Sequence, residues 1–241
     1  LLAAHYGALG WRLALVARRE AEMRAWAQAQ GWGLERCQVY AADVAVVDSI
    51  VEAGQRCLDR QGLPQRVIAA AGISVGMDTA VRADLDVMRE TLAVNVLGTA
   101  ATFHPFLSAM QARGSGTLVG VASVAAIRGL PGHGAYCASK AGVVAYCESL
   151  RGECRAHGLR VVTLVPGYVA TPLTAGNTYA MPFMLSADEF ARRALRAIEA
   201  GTSYRVIPWQ MGVVSRVMRW LPNPLFDRLA AGRGRKKRRG E

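Results

Sequence analysis

Along this chain, short apolar, β-branched runs alternate with longer stretches of helical period. The runs cover residues 11–17, 37–41, 67–71, 117–122, 159–165 and 204–207, each bounded by glycine, proline or charge, which is the pattern of buried strands. Between them, apolar positions recur three and four apart over 20–30, 46–61, 84–113, 135–157 and 187–199, which predicts helices. Such alternation predicts an α/β fold, a Rossmann-type doubly wound parallel sheet with helices on both faces and ligands beyond the carboxyl ends of the strands. Residues 1–9, followed by Gly10 at a cap position, read as the back half of a helix. The first strand and glycine-rich turn of such a fold are therefore expected to be missing, and the sequence reads as truncated at its N-terminus.

No repeat interrupts the pattern, so a single catalytic domain is expected over residues 1–208, extended by an amphipathic helical segment over 209–231. Composition is compatible with this: 241 residues, 52% hydrophobic and 20% charged, are enough for a full core without staples. The cysteines, five in number and without a Cys-x-x-Cys pair, suggest neither a disulfide framework nor a zinc site, and the four histidines show no metal spacing. A reducing cytoplasm fits best, and no metal is expected. No uninterrupted apolar run approaches the roughly 20 residues that span a bilayer.

Charge changes the picture at one end. The net charge is +11, and six basic side chains fall within residues 233–241. With no apolar residues to offset its ordering entropy, the tail 232–241 is expected to be disordered. Aromatics are not interleaved with the basic residues, which makes nucleic acid an unlikely partner. Upstream, Val213, Val214, Val217, Met218 and Leu221 share a helical face, with Arg216 and Arg219 off it. Helix and tail together raise a peripheral contact with an anionic membrane, at the inner membrane surface, as one option. Packing on the body or on a partner subunit is the plainer one.

Candidate chemistry centres on Tyr136 and Lys140, four apart and so on one helix face, with Ser123 at the end of the strand 117–122 and Asn95 within the long helix before it. A tyrosine whose reference pKa is about 10 becomes an effective acid–base group when a neighbouring cation lowers it. Ser123 would hydrogen-bond the same carbonyl oxygen that Tyr136 protonates.

Together these residues resemble the short-chain dehydrogenase/reductase family over nearly the whole chain. The resemblance implies that Ser123, Tyr136 and Lys140 are catalytic, and that Asn95 bends its helix and holds a water in a proton relay to the lysine. It also implies that Asp43 and Val44 meet adenine, that Ala71 and Gly72 mark a close approach to the cofactor, and that Pro166, Gly167, Val169 and Thr171 face the nicotinamide. Where the family has Asn-Asn-Ala-Gly this chain has Ala69, Ala70, Ala71 and Gly72, which keeps the glycine and loses side-chain hydrogen bonds. Family members pair through their long helices, so a homodimer or homotetramer is implied.

The strand 11–17 ends in Ala17 and is followed by Arg18 and Arg19, where an NAD site would place an acid for the ribose 2′-OH. NADP(H) is the expected cofactor, its 2′-phosphate on Arg18 with Arg19 in support. Residues after Gly167 should form a substrate lid, and Met181, Phe183, Met184 and Leu185 suggest a lipophilic carbonyl or alcohol substrate. An inactive scaffold of the same fold, or an adaptor acting through its basic tail, is the rival reading.

Overall fold

The computed structural model of the protein describes residues 1–177, 179–231 and 235–241. In chain order the elements are α1 (Leu2–Ala8), β1 (Leu13–Ala17), α2 (Glu20–Ala29), β2 (Cys37–Ala41), α3 (Val47–Gln61), β3 (Arg66–Ala69), α4 (Asp84–Leu92), a π-helical turn (Ala93–Leu97) and α5 (Gly98–Arg113). There follow β4 (Gly116–Val121), a 3-10 turn (Val124–Ala126), α6 (Gly134–Arg155), β5 (Leu159–Pro166), α7 (Pro172–Ala175), α8 (Ala187–Glu199), β6 (Tyr204–Ile207), α9 (Trp209–Trp220) and α10 (Asn223–Ala230). Each expected strand and helix is present, with ends displaced by one to a few residues. The long helix expected over 84–113 is continuous in direction but changes its hydrogen-bonding pitch at the π-turn, and Asn95 lies there.

All strand pairs are parallel, and they form two sheets. β1 pairs with β2 through Leu15 opposite Val39, and β3, β4, β5 and β6 follow in that order, with Val67 opposite Leu118 and Val119 opposite Val162. Between β1 and β3 lies a cavity of about 1500 Å³ lined by both strands, from Leu13 to Ala17 on one side and from Arg66 to Gly72 on the other. The sheets are joined instead by helices: Ile50, Ala53 and Cys57 of α3 share one core with Phe103, Phe106 and Met110 of α5 and Leu118 of β4. On the opposite face Val119, Val162 and Leu164 are covered by Ala194 and Ile198 of α8. The strands are apolar on both sides because both sides are covered, which is why their sequences read as runs rather than as alternation.

The segment Asp84–Arg113 is long and apolar enough to cross a membrane by length and composition. Here it lies against α3 and α6, with Phe103, Phe106 and Met110 buried.

α9 continues from β6 and divides its apolar residues between two sides. Met211, Val214, Ser215 and Met218 turn toward a cavity beneath the helix, while Trp209, Val213, Val217 and Trp220 are exposed. Of the tail, residues 232–234 lie outside the described residues, and 235–241 run back along the body. Gly76 donates its backbone N–H to the Lys237 carbonyl at 2.9 Å and bridges Arg238. Arg238 pairs with the buried Asp84 at 2.8 Å and Arg239 with Glu90 at 2.6 Å, both acids on α4. Carboxylates on the body thus supply the attraction that the tail's own composition lacks. A side chain at position 76 would meet the Lys236 carbonyl at 2.0 Å, so only glycine admits this crossing.

Candidate active site

The strand β4 and the helix α6 deliver the central residues. Ser123 follows β4 and caps the 3-10 turn, its Oγ accepting from the Ala125 N–H at 3.2 Å. Tyr136 lies in the first turn of α6 and is hydrogen-bonded to the Ser123 side chain. One turn on, Lys140 is buried and donates to the Val121 carbonyl at 2.8 Å, with its ammonium 5.8 Å from the Tyr136 ring centroid. Burial lowers the Lys140 pKa to about 8. Burial also raises that of Tyr136, against the weaker opposing pull of the Ser123 hydrogen bond. The expected lowering of Tyr136 by Lys140 is thus not what dominates this arrangement. The cation lies over the ring face and holds a backbone carbonyl, while desolvation acts on the phenol directly.

Asn95 is fully buried and acts as a brace. Its Oδ1 accepts from the Ile73 N–H at 2.9 Å, and its Nδ2 donates to the Ile73 carbonyl at 3.0 Å and to Ser139 Oγ at 2.8 Å. Ser139 in turn donates to the Tyr136 carbonyl at 2.8 Å. The loop after β3, the π-turn and α6 are thereby tied together behind Lys140. Ser139 is a site residue that the motif reading passed over, although it sits beside Lys140 in the same stretch.

Of the expected cofactor residues, Arg18, Arg19, Asp43, Val44, Ala71 and Gly72 line the cavity between β1 and β3. Arg18, at the end of β1, is exposed, with its guanidinium 3.9 Å from Asp43 Oδ2. Arg19 begins α2 and pairs with Glu22 at 3.0 Å. Asp43 shapes its own turn, Oδ1 accepting from the Ala45 N–H at 3.0 Å, and Val44 packs on Gly98. Ala71 and Gly72 face the same crevice. A Cβ on Gly72 would stand 3.3 Å from both Asn95 Oδ1 and Lys140 Nζ, so the glycine leaves open the space a flat ring or ribose needs beside the lysine. Pro166 closes β5, and the Gly167 N–H donates to the Ile207 carbonyl at 2.7 Å. Val169 bridges Leu185, and Thr171 caps α7, its N–H donating to Thr174 Oγ1 at 3.1 Å. Arg18, Arg19, Asp43, Val44, Ala71 and Gly72 thus line one cavity, whereas Gly167 lines a second one beside Tyr136.

Beside Tyr136 opens a second cavity, of about 330 Å³ and within the usual range for small-molecule sites. Its floor carries Ser123 and Tyr136, and Val124, Ile127, Leu130, Met211 and Val214 form apolar walls. Met181, Phe183, Met184 and Leu185, expected here from the sequence, do not line it, and Phe183 and Met184 are exposed. The segment after Gly167 does line the cavity, through Leu173, Tyr179, Ala180 and Pro182, and the 3-10 turn and α9 supply the remaining apolar wall. Thr178 of that lid lies outside the described residues. His133, Tyr179 and Lys236 also line the cavity, with His133 Nε2 3.3 Å from the Tyr179 hydroxyl. No local motif marks them. Burial lowers the His133 pKa and pushes that of Tyr179 up to about 12, so both stay neutral near pH 7.

The fold is a parallel α/β one, and it gathers Ser123, Tyr136 and Lys140 where β4 ends and α6 begins. The sequence profile of the family described as short chain dehydrogenase matches residues 1–181. An oxidoreductase of Myxococcus xanthus is 40% identical over 205 residues, covering 85% of this chain and 79% of that one. One from Mycobacterium tuberculosis is 32% identical over 234 residues, covering 95% and 91%. A short-chain dehydrogenase structure from Streptomyces avermitilis superposes with a TM-score of 0.74 at 19% identity, covering 96% and 93%. A metagenomic short-chain oxidoreductase in complex with NADP superposes with a TM-score of 0.68 at 24% identity, covering 86% and 89%. The chain belongs to the short-chain dehydrogenase family of nicotinamide-dependent oxidoreductases.

Proposed function

We propose that the protein is an NADP(H)-dependent reductase of lipophilic carbonyl compounds, with Tyr136 as proton donor. The observation that carries this reading is the convergence of Tyr136, Ser123 and an apolar cavity on one point, with Lys140 and Gly72 just behind it. When bound, the nicotinamide supplies or accepts the hydride. Tyr136 holds the proton that passes to the carbonyl oxygen, and Ser123 fixes that oxygen beside it. Lys140 lies where a ribose hydroxyl would replace the Val121 carbonyl as one of its partners. Asn95 positions Lys140 and the loop after β3 through Ile73 and Ser139. The catalytic domain takes in residues 1–208, with 209–231 completing the substrate wall.

The choice of NADP(H) over NAD(H) rests on Arg18, an exposed guanidinium at the strand end where an acid would serve the other cofactor. The NADP in the metagenomic structure is compatible with it. Arg18→Ala is expected to weaken NADPH binding by about tenfold or more, the worth of a charge-assisted phosphate contact, and to leave NADH nearly unaffected. Fluorescence titration with each nucleotide checks this, and equal losses for both would remove the assignment.

Two further surfaces bear on partners. Leu85, Leu92 and Leu97 are exposed along the long helix, which supports pairing of two copies there. On α9 the exposed stripe of Trp209, Val213, Val217 and Trp220, the last 85% exposed, supports a peripheral lipid contact flanked by Arg216 and Arg219. Arg238 and Arg239 are engaged by Asp84 and Glu90, so helix and tail do not contribute equally. The protein should sediment with anionic vesicles at low salt and be released by high salt. Sedimentation that ignores salt, or none at all, would refute the contact.

A further inference from the structure

The substrate cavity is charged in a way that its proposed role does not require. Among the described residues two cations line it, Lys236 and Arg128, and no carboxylate does. Arg128 is occupied structurally: it donates to the Leu221 carbonyl at 2.6 Å and to Asn223 Oδ1 at 3.0 Å, and its guanidinium lies 3.8 Å from the Phe226 ring centroid. Lys236 differs. Its ammonium donates to the Leu173 carbonyl at 2.9 Å and to Asn177 Oδ1 at 2.7 Å, both neutral acceptors, and an ammonium has three protons to give. Among the described residues no acid pairs with it.

The surrounding tail makes this more telling. Arg238 and Arg239 each meet a carboxylate of α4, and the Gly76 N–H holds the Lys237 carbonyl. Those contacts fix the backbone just after the point where Lys236 enters the cavity. A half-buried cation held in place without a counter-ion loses solvation that its two neutral acceptors recover only in part. Low-dielectric walls concentrate its field on whatever enters. Burial lowers its pKa.

We infer that the substrate carries an anionic group, and that this carbonyl compound is of the oxo fatty acid class, with its carboxylate on Lys236. The alkyl part then lies along Ile127, Leu130, Met211 and Val214, and the carbonyl meets Tyr136 and Ser123. This deepens the reductase reading and rests on it for the carbonyl end alone. Lys236 is a specificity residue, because it touches the far end of the substrate and not the reacting atoms.

The test compares octanoate with octan-1-ol, ligands of one length that differ in charge, by calorimetric titration of the full chain at pH 7. Octanoate is expected to bind about tenfold tighter, as a charge-assisted pair provides. Lys236→Gln should abolish that preference by weakening octanoate alone, and Lys236→Arg should retain it. Equal affinities in the unaltered protein, no binding of octanoate, or an equal loss of both ligands in Lys236→Gln would each overturn the proposal, the last by making the residue a mere wall. Reduction of ketones is measured separately. A chain that prefers octanoate but reduces no ketone refutes the catalytic reading and keeps the anion site, while ketone reduction without preference does the reverse.

Discussion

Tyr136→Phe is expected to lower kcat for carbonyl reduction by about a thousandfold, the middle of the range for losing a positioned acid, with NADPH binding changed less than about threefold. The substitution removes one proton and one hydroxyl and leaves the ring in place on α6, above Lys140. Steady-state rates and nucleotide titration of the same variant separate the two effects. Turnover that survived would move the proton donor to Tyr179 or His133, which share the cavity. The pH dependence carries a sign of its own. Because burial raises the Tyr136 pKa, the phenol is protonated near neutrality, the form that reduction needs. Reduction should fall as pH rises through that pKa, and oxidation of the corresponding alcohol should rise over the same interval.

The second large effect is on stability. Lys140→Met is expected to abolish turnover and yet stabilise the cofactor-free protein at pH 7. The buried ammonium has a pKa of about 8 against an ordinary 10.5. Between those values the unfolded chain binds the proton more strongly than the folded one, so this residue makes stability rise with pH across that window. Below about pH 8 the penalty is complete. It amounts to at most about 3 to 4 kcal/mol, since one pKa unit corresponds to about 1.4 kcal/mol. Tyrosines with raised pKa values give the opposite slope, because the unfolded chain loses their protons first. The difference between the unaltered protein and Lys140→Met, from urea unfolding at pH 7 and pH 10, isolates the lysine. A variant less stable at pH 7 would show that the Val121 hydrogen bond outweighs the desolvation.

Much of this architecture is visible in the sequence because it is written locally. The strands declare themselves as apolar runs, since helices cover both faces, and the spacing of Tyr136 and Lys140 is a property of one helix. Ser123 and Asp43 sit at strand ends, where glycine, proline and polar residues punctuate the pattern. Other features depend on pairings that no local pattern carries. Composition alone makes residues 235–241 a free tail, because Asp84 and Glu90, the acids that hold Arg238 and Arg239, lie about 150 residues earlier. For a similar reason the sequence does not say whether Met181 and Phe183 wall the substrate cavity. Either those or Met211 and Val214 could fill an apolar wall, and only the turn of α9 decides. Ser139 was hidden by being an ordinary small residue within a helix, and its importance lies in Asn95, which arrives from another element.

The return of residues 235–241 along the body has a consequence for the substrate cavity. Lys236 lines that cavity, and its place depends on Gly76 holding Lys237 and on Asp84 and Glu90 holding Arg238 and Arg239. One wall of the pocket is thus closed by a clasp of ion pairs, and salt weakens such pairs where they are open to solvent. Ionic strength then acts as a latch on that wall, while Ser123 and Tyr136 keep their places after β4 and in the first turn of α6.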